Sequence, residues 1–504
     1  METQQYPTSN LAGAQPASGP GVSSQPVAPT RVTDAKVEIQ QQFHVFAILW
    51  AMASLLTGWS RFEAALSSPW LVAVNATICI SAIVILIRPD WVLAVVVLSA
   101  VHVLYGLVEM PLISTGDTLW MFFSAVVCSS FLTAMVLRRS YRVNSASLYR
   151  SIGPAIRIMT VLSLVALAVA RLNWGFLIME TSPVVESLTR FRGGSAPPDW
   201  IVYFTISILL IVDFSLAAAL LVPALRRFGL GFGSCYFAWQ AALGLGDSKL
   251  MLPVLIVGLG MFASTDLVAR MQTGLQRWLP LWPLRRFGLG AFAVVVSVFV
   301  CILALKRGEE FNLPFVRLGT VITAGYWVTL LAWLSLLLAC LVDLRPKLTW
   351  VSFGVRNPFN ILLILMFIIA IVSPYTGLGT AGRFVERSGY ASAEGGSNHL
   401  LIPATRLCEY DDDMIELIAS NDPWLQELAD SGQLISWFDL INYVVPRPDT
   451  SISFIRENEH FQVDRCGDIT ELSVANPWIA RKLIAFRPLH RDLVPASEQE
   501  TVNR

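Results

Sequence analysis

Asp213 is the residue of this sequence best placed to do chemistry inside a membrane. It stands midway along the apolar stretch 201–225 with only serine and threonine as polar neighbours. A carboxylate at the bilayer centre costs about 2.5–3.5 kcal/mol on insertion scales, so it faces a partner or a cavity rather than lipid. Two roles suit it: accepting a proton or contacting a cofactor, or pairing with a neighbouring helix to fix packing. His102 and Glu109 form a second candidate set, because residues seven apart on a helix are displaced by only about 20° around the axis and about 10 Å along it. On that shared face Glu109 would orient or protonate a molecule that His102 contacts, unless its place just before Met110 and Pro111 lets it reach water. Asp247, Lys249, Asp266 and Asp343 fall at the ends of apolar stretches and are expected at the interface.

Other chemistries are missing from the pattern. The histidines show no His-x-x-x-His spacing and the cysteines no Cys-x-x-Cys pair, so no metal is expected. There is no Gly-x-Ser-x-Gly elbow, phosphate-binding P-loop or dinucleotide fingerprint. Asp411-Asp-Asp413 lacks the other ligands of a calcium loop and reads as a solvated face. Gly229-Leu-Gly-Phe-Gly233, after two arginines, reads as a span boundary.

The elements that must position these residues are membrane helices. Of 504 residues, 55% are hydrophobic and 14% charged, against roughly 45–50% and about 25% in a soluble domain. A water-soluble globule is excluded. A bilayer crossing takes about 20 apolar residues, and candidate spans lie at 43–60, 70–87, 91–112, 118–137, 156–170, 201–225, 289–305, 319–342 and 359–374. The stretch 232–265, interrupted at 244–249 and by Pro253, is too long for one helix and short for two. The expectation is an all-α polytopic bundle of ten or eleven spans, ten preferred, with Trp59, Trp70, Trp91, Trp278, Trp282 and Trp350 in the interfacial belt.

Arginines near 88, 138–157 and 226–227 outnumber those of the alternate loops, Arg61, Arg171, Arg190 and Arg192. The positive-inside bias then puts the N-terminus in the cytoplasm. Ten spans would return the C-terminal tail to that side, and eleven would leave it opposite. Arginine dominates lysine and no organelle address is present, so a bacterial inner membrane is expected. Residues 1–42, rich in Gln, Pro, Ser and Gly, read as a disordered tail, and the first span is expected to direct insertion.

Charge divides the chain at the end of the last span: residues 1–374 carry 25 Lys+Arg and 16 Asp+Glu, residues 375–504 carry 11 and 20. The expected organisation is a membrane domain at 43–374, a junction at 375–390, a soluble α+β domain at 391–490 and a disordered end at 491–504. Strands are predicted at 399–403, 451–456 and 460–463, and helices after Asp422-Pro423 and Asn476-Pro477. Five cysteines lie in apolar stretches and behave as small hydrophobes, while Cys408 and Cys466 would be able to pair only in an oxidising compartment.

Two segments resemble a known family. Ala170-Arg-Leu-Asn-Trp-Gly-Phe176 is similar to the Lys-Leu-Asn-x-x-Phe segment of bacterial multipass proteins of the HTTM group, in the vitamin K-dependent gamma-carboxylase-like superfamily. Pro374-Tyr-Thr-Gly-Leu-Gly-Thr380, followed by Glu394-Gly-Gly-Ser-Asn-His-Leu-Leu-Ile-Pro403, resembles that family's junction between last span and soluble tail. The order of elements agrees over roughly residues 40–470. The resemblance implies a helical membrane domain with a C-terminal appendage, distantly related to an enzyme that deprotonates with a lysine while oxidising a quinol. Where the family has that Lys this chain has Arg171, which stays protonated and cannot act as a base. The family's Met-Phe-Ser-Asn-Leu-Arg run is replaced by Val385-Glu-Arg-Ser-Gly-Tyr390.

Two functions are therefore expected. The first is a membrane-embedded enzyme or redox protein acting on a lipid-soluble, quinone- or isoprenoid-like molecule, with Asp213, His102, Glu109 and His399 as catalytic candidates and Arg171, Asn173, Glu394 and Asn398 as substrate contacts. In the second, a non-enzymatic scaffold or transport-associated protein recruits a protein partner through its acidic C-terminal domain. His399 and its neighbours suit a structural latch as well as a site. A net charge of zero gives no reason to expect a nucleic-acid partner.

Overall fold

The computed structural model describes residues 31–263, 267 and 351–490, apart from short stretches at 62–67, 111–113, 140–142, 180–181, 193, 244–247, 382, 386–387, 389, 391, 394–395, 403–412, 458 and 474–475. The spans expected at 289–305 and 319–342, with Asp247, Asp266, Asp343, Glu394 and Cys408, lie outside the described residues.

Among the described residues seven helices are long and apolar enough to cross a membrane: Val37–Gly58, Pro69–Ile87, Val92–Glu109, Thr115–Leu137, Ser145–Ala170, Asp199–Leu221 and Pro358–Thr376. The chain is a polytopic membrane protein. The first helix begins at Arg31, inside the stretch expected to be disordered, and the fifth span begins at Ser145 rather than near 156. That earlier start is set by Asn144, whose side chain accepts from Ala146 N. Ser114 and Asp117 close a capping box at the start of Thr115–Arg138. The ambiguous stretch resolves into Arg226–Leu243 and a shorter helix Ser248–Gly260, whose Leu252, Val254, Leu255 and Val257 are buried in the bundle.

Polar side chains join the helices where water is absent. Asn360 Nδ2 donates to Ser130 Oγ (2.9 Å) and to the Ser151 carbonyl (3.1 Å), and its Oδ1 accepts from Ser129 Oγ (2.7 Å). Arg157 donates to the Met261 and Ser352 carbonyls, one of them the free end of the short helix Ser248–Gly260.

Short connections make the first five spans an up-and-down series, so the ends at Arg61, Glu109 and Ala170 share one face and the start of the first helix lies on the other. The C-terminal tail docks on the Glu109 face. Lys482 Nζ donates to the Val108 (3.1 Å) and Met110 (2.8 Å) carbonyls, and Thr115 Oγ1 donates to the Arg383 carbonyl (2.6 Å). The first helix thus begins on the face opposite the tail.

The tail carries a five-stranded antiparallel sheet in the order β6-β5-β3-β4-β7. Its strands are β3 (Met414–Ser420), β4 (Gln433–Ser436), β5 (Ile452–Arg456), β6 (Glu459–Val463) and β7 (Leu489–His490), and a separate hairpin pairs β1 (Ser392–Ala393) with β2 (Gly396–Ser397). Helices Pro423–Asp430 and Trp437–Val444 bury Leu425, Leu428, Leu440 and Val444 with Ile415, Ile435 and Phe454 of the sheet. Asp422 caps the first of these helices as expected, but 399–403 is no strand: it contributes one isolated bridge.

The C-terminal segment fastens the sheet to the junction. Thr380 N and Ala381 N both donate to the Ala485 carbonyl, at 2.9 and 3.1 Å. Gly379 has φ +112 and its missing Cβ would fall 2.7 Å from that carbonyl, so only glycine fits. Next along, Phe486 N donates to Asp439 Oδ2 (2.8 Å). Burial raises the Asp439 carboxyl from 3.8 to about 7, opposed only in part by its bonds from Ser436 and Phe486. The folded state therefore keeps a proton that the unfolded chain has already released. The stability this confers is complete below about pH 4 and is lost as pH rises towards about 7. Thermal unfolding of the C-terminal domain should shift to lower temperature across that window in wild type and stay flat in Asp439→Asn, whereas an equal slope in the variant contradicts the assignment.

Candidate functional site

Asp213 is fully buried, and it meets Arg171, the residue that follows the last turn of Ser145–Ala170, in a direct ion pair. Tyr236, on Arg226–Leu243, donates its hydroxyl to Asp213 Oδ1 (2.8 Å) and accepts from Arg171 (3.3 Å). Three helical segments thus converge on one carboxylate. Of the two roles open to Asp213, the structure supplies the second: a paired anion that fixes helix packing. Breaking such a pair by removing one partner costs about 3–5 kcal/mol.

The same cluster keeps hydrogen-bonding capacity in reserve. Gln240, one turn beyond Tyr236, is 1% exposed; its Oε1 lies 3.5 Å from the Arg171 guanidinium, and its Nε2 has no partner among the described residues. The guanidinium carries five N–H donors in a planar fork, and the contacts to Asp213, Tyr236 and Gln240 use its two terminal nitrogens only. Leading to this point, Phe228, Phe232 and Tyr236 stack along one face of their helix, with centroids 5.4 and 6.5 Å apart and planes within 10°. Phe228 is 67% and Phe232 41% exposed on the bundle surface, while Tyr236 is buried. An aromatic track therefore runs from the outer surface of the bundle to a buried donor set. The sequence reading missed Tyr236, Gln240 and Phe232, although aromatic residues at four-residue spacing were there to be seen.

Two residues past Arg171, Asn173 organises the junction. Its Nδ2 donates to the Ala170 (2.6 Å) and Ser388 (2.8 Å) carbonyls, its Oδ1 accepts from Phe176 N (2.9 Å), and its backbone bridges His399. Trp174 N donates to the Asn398 carbonyl and Leu400 N to the Leu172 carbonyl. His399 Nε2 lies 2.9 Å from the Val169 carbonyl and must donate to it, while Nδ1 accepts from Leu401 N and Ile402 N. This pattern requires the neutral tautomer with the proton on Nε2. Burial pulls the His399 pKa below 6.5, in the same sense. With both nitrogens engaged, His399, Asn173 and Asn398 form a latch rather than a proton-transfer group. The two segments that carry the family resemblance are therefore partners in space.

His102 occupies a different place. It stacks on Trp120 (4.3 Å, 14°), lies edge-on to Trp50, and contacts Ser54 Oγ at 3.2 Å. No hydrogen bond or ion pair joins it to Glu109 among the described residues, and Glu109 is partly exposed, so their shared helical face does not make one site. A buried ion pair between Arg61 and Asp117 seals the adjacent helix ends, with Arg61 over the Tyr105 ring at 4.3 Å. Among the described residues no three His, Cys, Asp or Glu side chains gather as a metal site. Cys466 is a buried free thiol that burial pushes up to about 11.

The class is thus a helical membrane protein whose C-terminal α+β domain is latched to the bundle. Compared with known proteins, the chain matches no family model, no curated protein and no solved structure. Losing a buried hydrogen-bonding partner costs about 1–3 kcal/mol. His399→Ala should accordingly free the tail, raising protease cleavage near 391–412 several-fold while the bundle stays folded; unchanged cleavage contradicts the latch.

Proposed function

We propose that the chain acts in the membrane, as an enzyme or redox protein, on a lipid-soluble molecule of quinone or isoprenoid type, held at the cluster of Arg171, Asp213, Tyr236 and Gln240. The observation that carries this reading is the exposed Phe228–Phe232 track ending beside the Gln240 Nε2 amide, buried and without a partner among the described residues. Such donors suit a carbonyl or other acceptor at the head of an apolar molecule, and the aromatic faces suit its body. Asp213 serves as the counter-ion that keeps Arg171 in place, and Arg171, always protonated, binds rather than abstracts. The relation to the HTTM group is part of the proposal, supported by the pairing of its two segments through Asn173 and His399.

The proposal includes an orientation. The face of Arg88, Arg138, Arg139, Arg150, Arg226 and Arg227 is arginine-rich, the opposite face carries Arg61, Arg171, Arg190 and Arg192, and the positive-inside bias supports a cytoplasmic N-terminus in a bacterial inner membrane. The tail then lies on the extracytoplasmic side.

Small molecules retained by detergent-purified protein test the binding claim by mass spectrometry. Wild type should retain a quinone- or isoprenoid-like compound that falls at least tenfold in Gln240→Leu and in Phe232→Ala, neither of which removes a member of the ion pair. Equal retention in both variants contradicts the site. Bulk phospholipid alone in all three contradicts the proposal and favours a scaffold that recruits a partner through its acidic domain.

A further inference from the structure

The longest stretch of the acidic tail without acidic residues is also its most basic: between Glu471 and Asp492 it carries Arg481, Lys482, Arg487 and Arg491 and no Asp or Glu. The same stretch is the one placed at the membrane boundary. Lys482 Nζ binds the carbonyls of Val108 and Met110, where Val92–Glu109 ends, so the short helix Trp478–Leu483 sits level with the end of a span. Trp478, one turn before Lys482, is 67% exposed, and Leu483 is 51% exposed. A second strip lies at the end of Ser145–Ala170: Trp174 and Ile178 follow that span, and Leu401 follows His399, which is bonded to Val169. All three are exposed, Leu401 at 70%. Exposed Trp and Leu at the level where helices leave the hydrocarbon are matched to the headgroup region.

We infer that the face of the C-terminal domain formed by Trp478, Arg481, Lys482 and Leu483, together with the separate strip of Trp174 and Leu401 at the end of Ser145–Ala170, rests on the bilayer and is held there by anionic phospholipid headgroups. Basic side chains are attracted to an anionic headgroup layer, and tryptophan anchors the contact at headgroup depth. This surface is independent of the lipid-soluble ligand argued above. The charge pattern gives it a definite partner: the strip is positive in a domain that is otherwise negative.

Hydrogen exchange of the full-length protein in nanodiscs tests it, comparing phosphatidylcholine alone with phosphatidylcholine plus phosphatidylglycerol. Amides of 478–487 should exchange at least tenfold more slowly in the anionic discs, and in Trp478→Ser combined with Arg481→Ser this difference should vanish while exchange over β3 and β5 is unchanged. Equal exchange in the two discs overturns the anionic partner, and protection that persists in detergent micelles overturns the lipid contact altogether. Should the double variant unfold the domain, quenching of wild-type tryptophan emission by brominated phosphatidylglycerol but not by its unbrominated form decides in favour, and no quenching decides against.

Discussion

The ion pair between Arg171 and Asp213 fixes the end of one span against another, with Tyr236 of the helix Arg226–Leu243 bonded to both, and the rest of this face of the protein follows from that constraint. A lone carboxylate at that depth would be expelled or neutralised. Paired with Arg171 and bonded by Tyr236 it stays, and in staying it sets where Ser145–Ala170 stops. The chain then turns at Asn173, whose side chain satisfies the carbonyl of Ala170 and reaches Ser388 in the tail. Electrostatics inside the bundle and backbone pairing at its surface are thus joined within three residues.

The soluble domain is consequently not a free appendage. His399 is held by Val169, Lys482 by the end of another span, and Thr380 and Ala381 by the Ala485 carbonyl, so three separate stretches of the tail meet the bundle or the junction. The Lys482 contact uses carbonyls that the end of Val92–Glu109 leaves open. Charge is uneven in the same tail: residues 472–491 carry four basic residues and no acidic one, while the tail as a whole has 11 Lys+Arg against 20 Asp+Glu.

The membrane class, seven of the spans and the helix opened by Asp422 were legible because apolar length and capping chemistry are local properties of the chain. The cluster around Asp213 was legible in part: the cost of a buried carboxylate announces that a partner exists but not which residue it is. Arg171 lay on a different helix end and was assigned to substrate, and Tyr236 and Gln240 were hidden among aromatics that look like ordinary packing. Glu109 was grouped with His102 on helical spacing alone, and spacing says nothing of what the neighbouring helices present; here they present Trp50, Ser54 and Trp120. The side of the tail depended on counting helices, which apolar length alone left between ten and eleven; Lys482 and Thr115 show instead which helix ends it touches.

The central claim is that Asp213 is a charged partner of Arg171 and not a free acid or base. A double-mutant cycle measures it most directly, comparing the thermal stability of Arg171→Gln, Asp213→Asn and the two combined in detergent. If the pair is as described, each single variant loses more than the double variant, since leaving one buried charge alone costs about 3–5 kcal/mol. Additive losses, or an Asp213→Asn protein as stable as wild type, would contradict it.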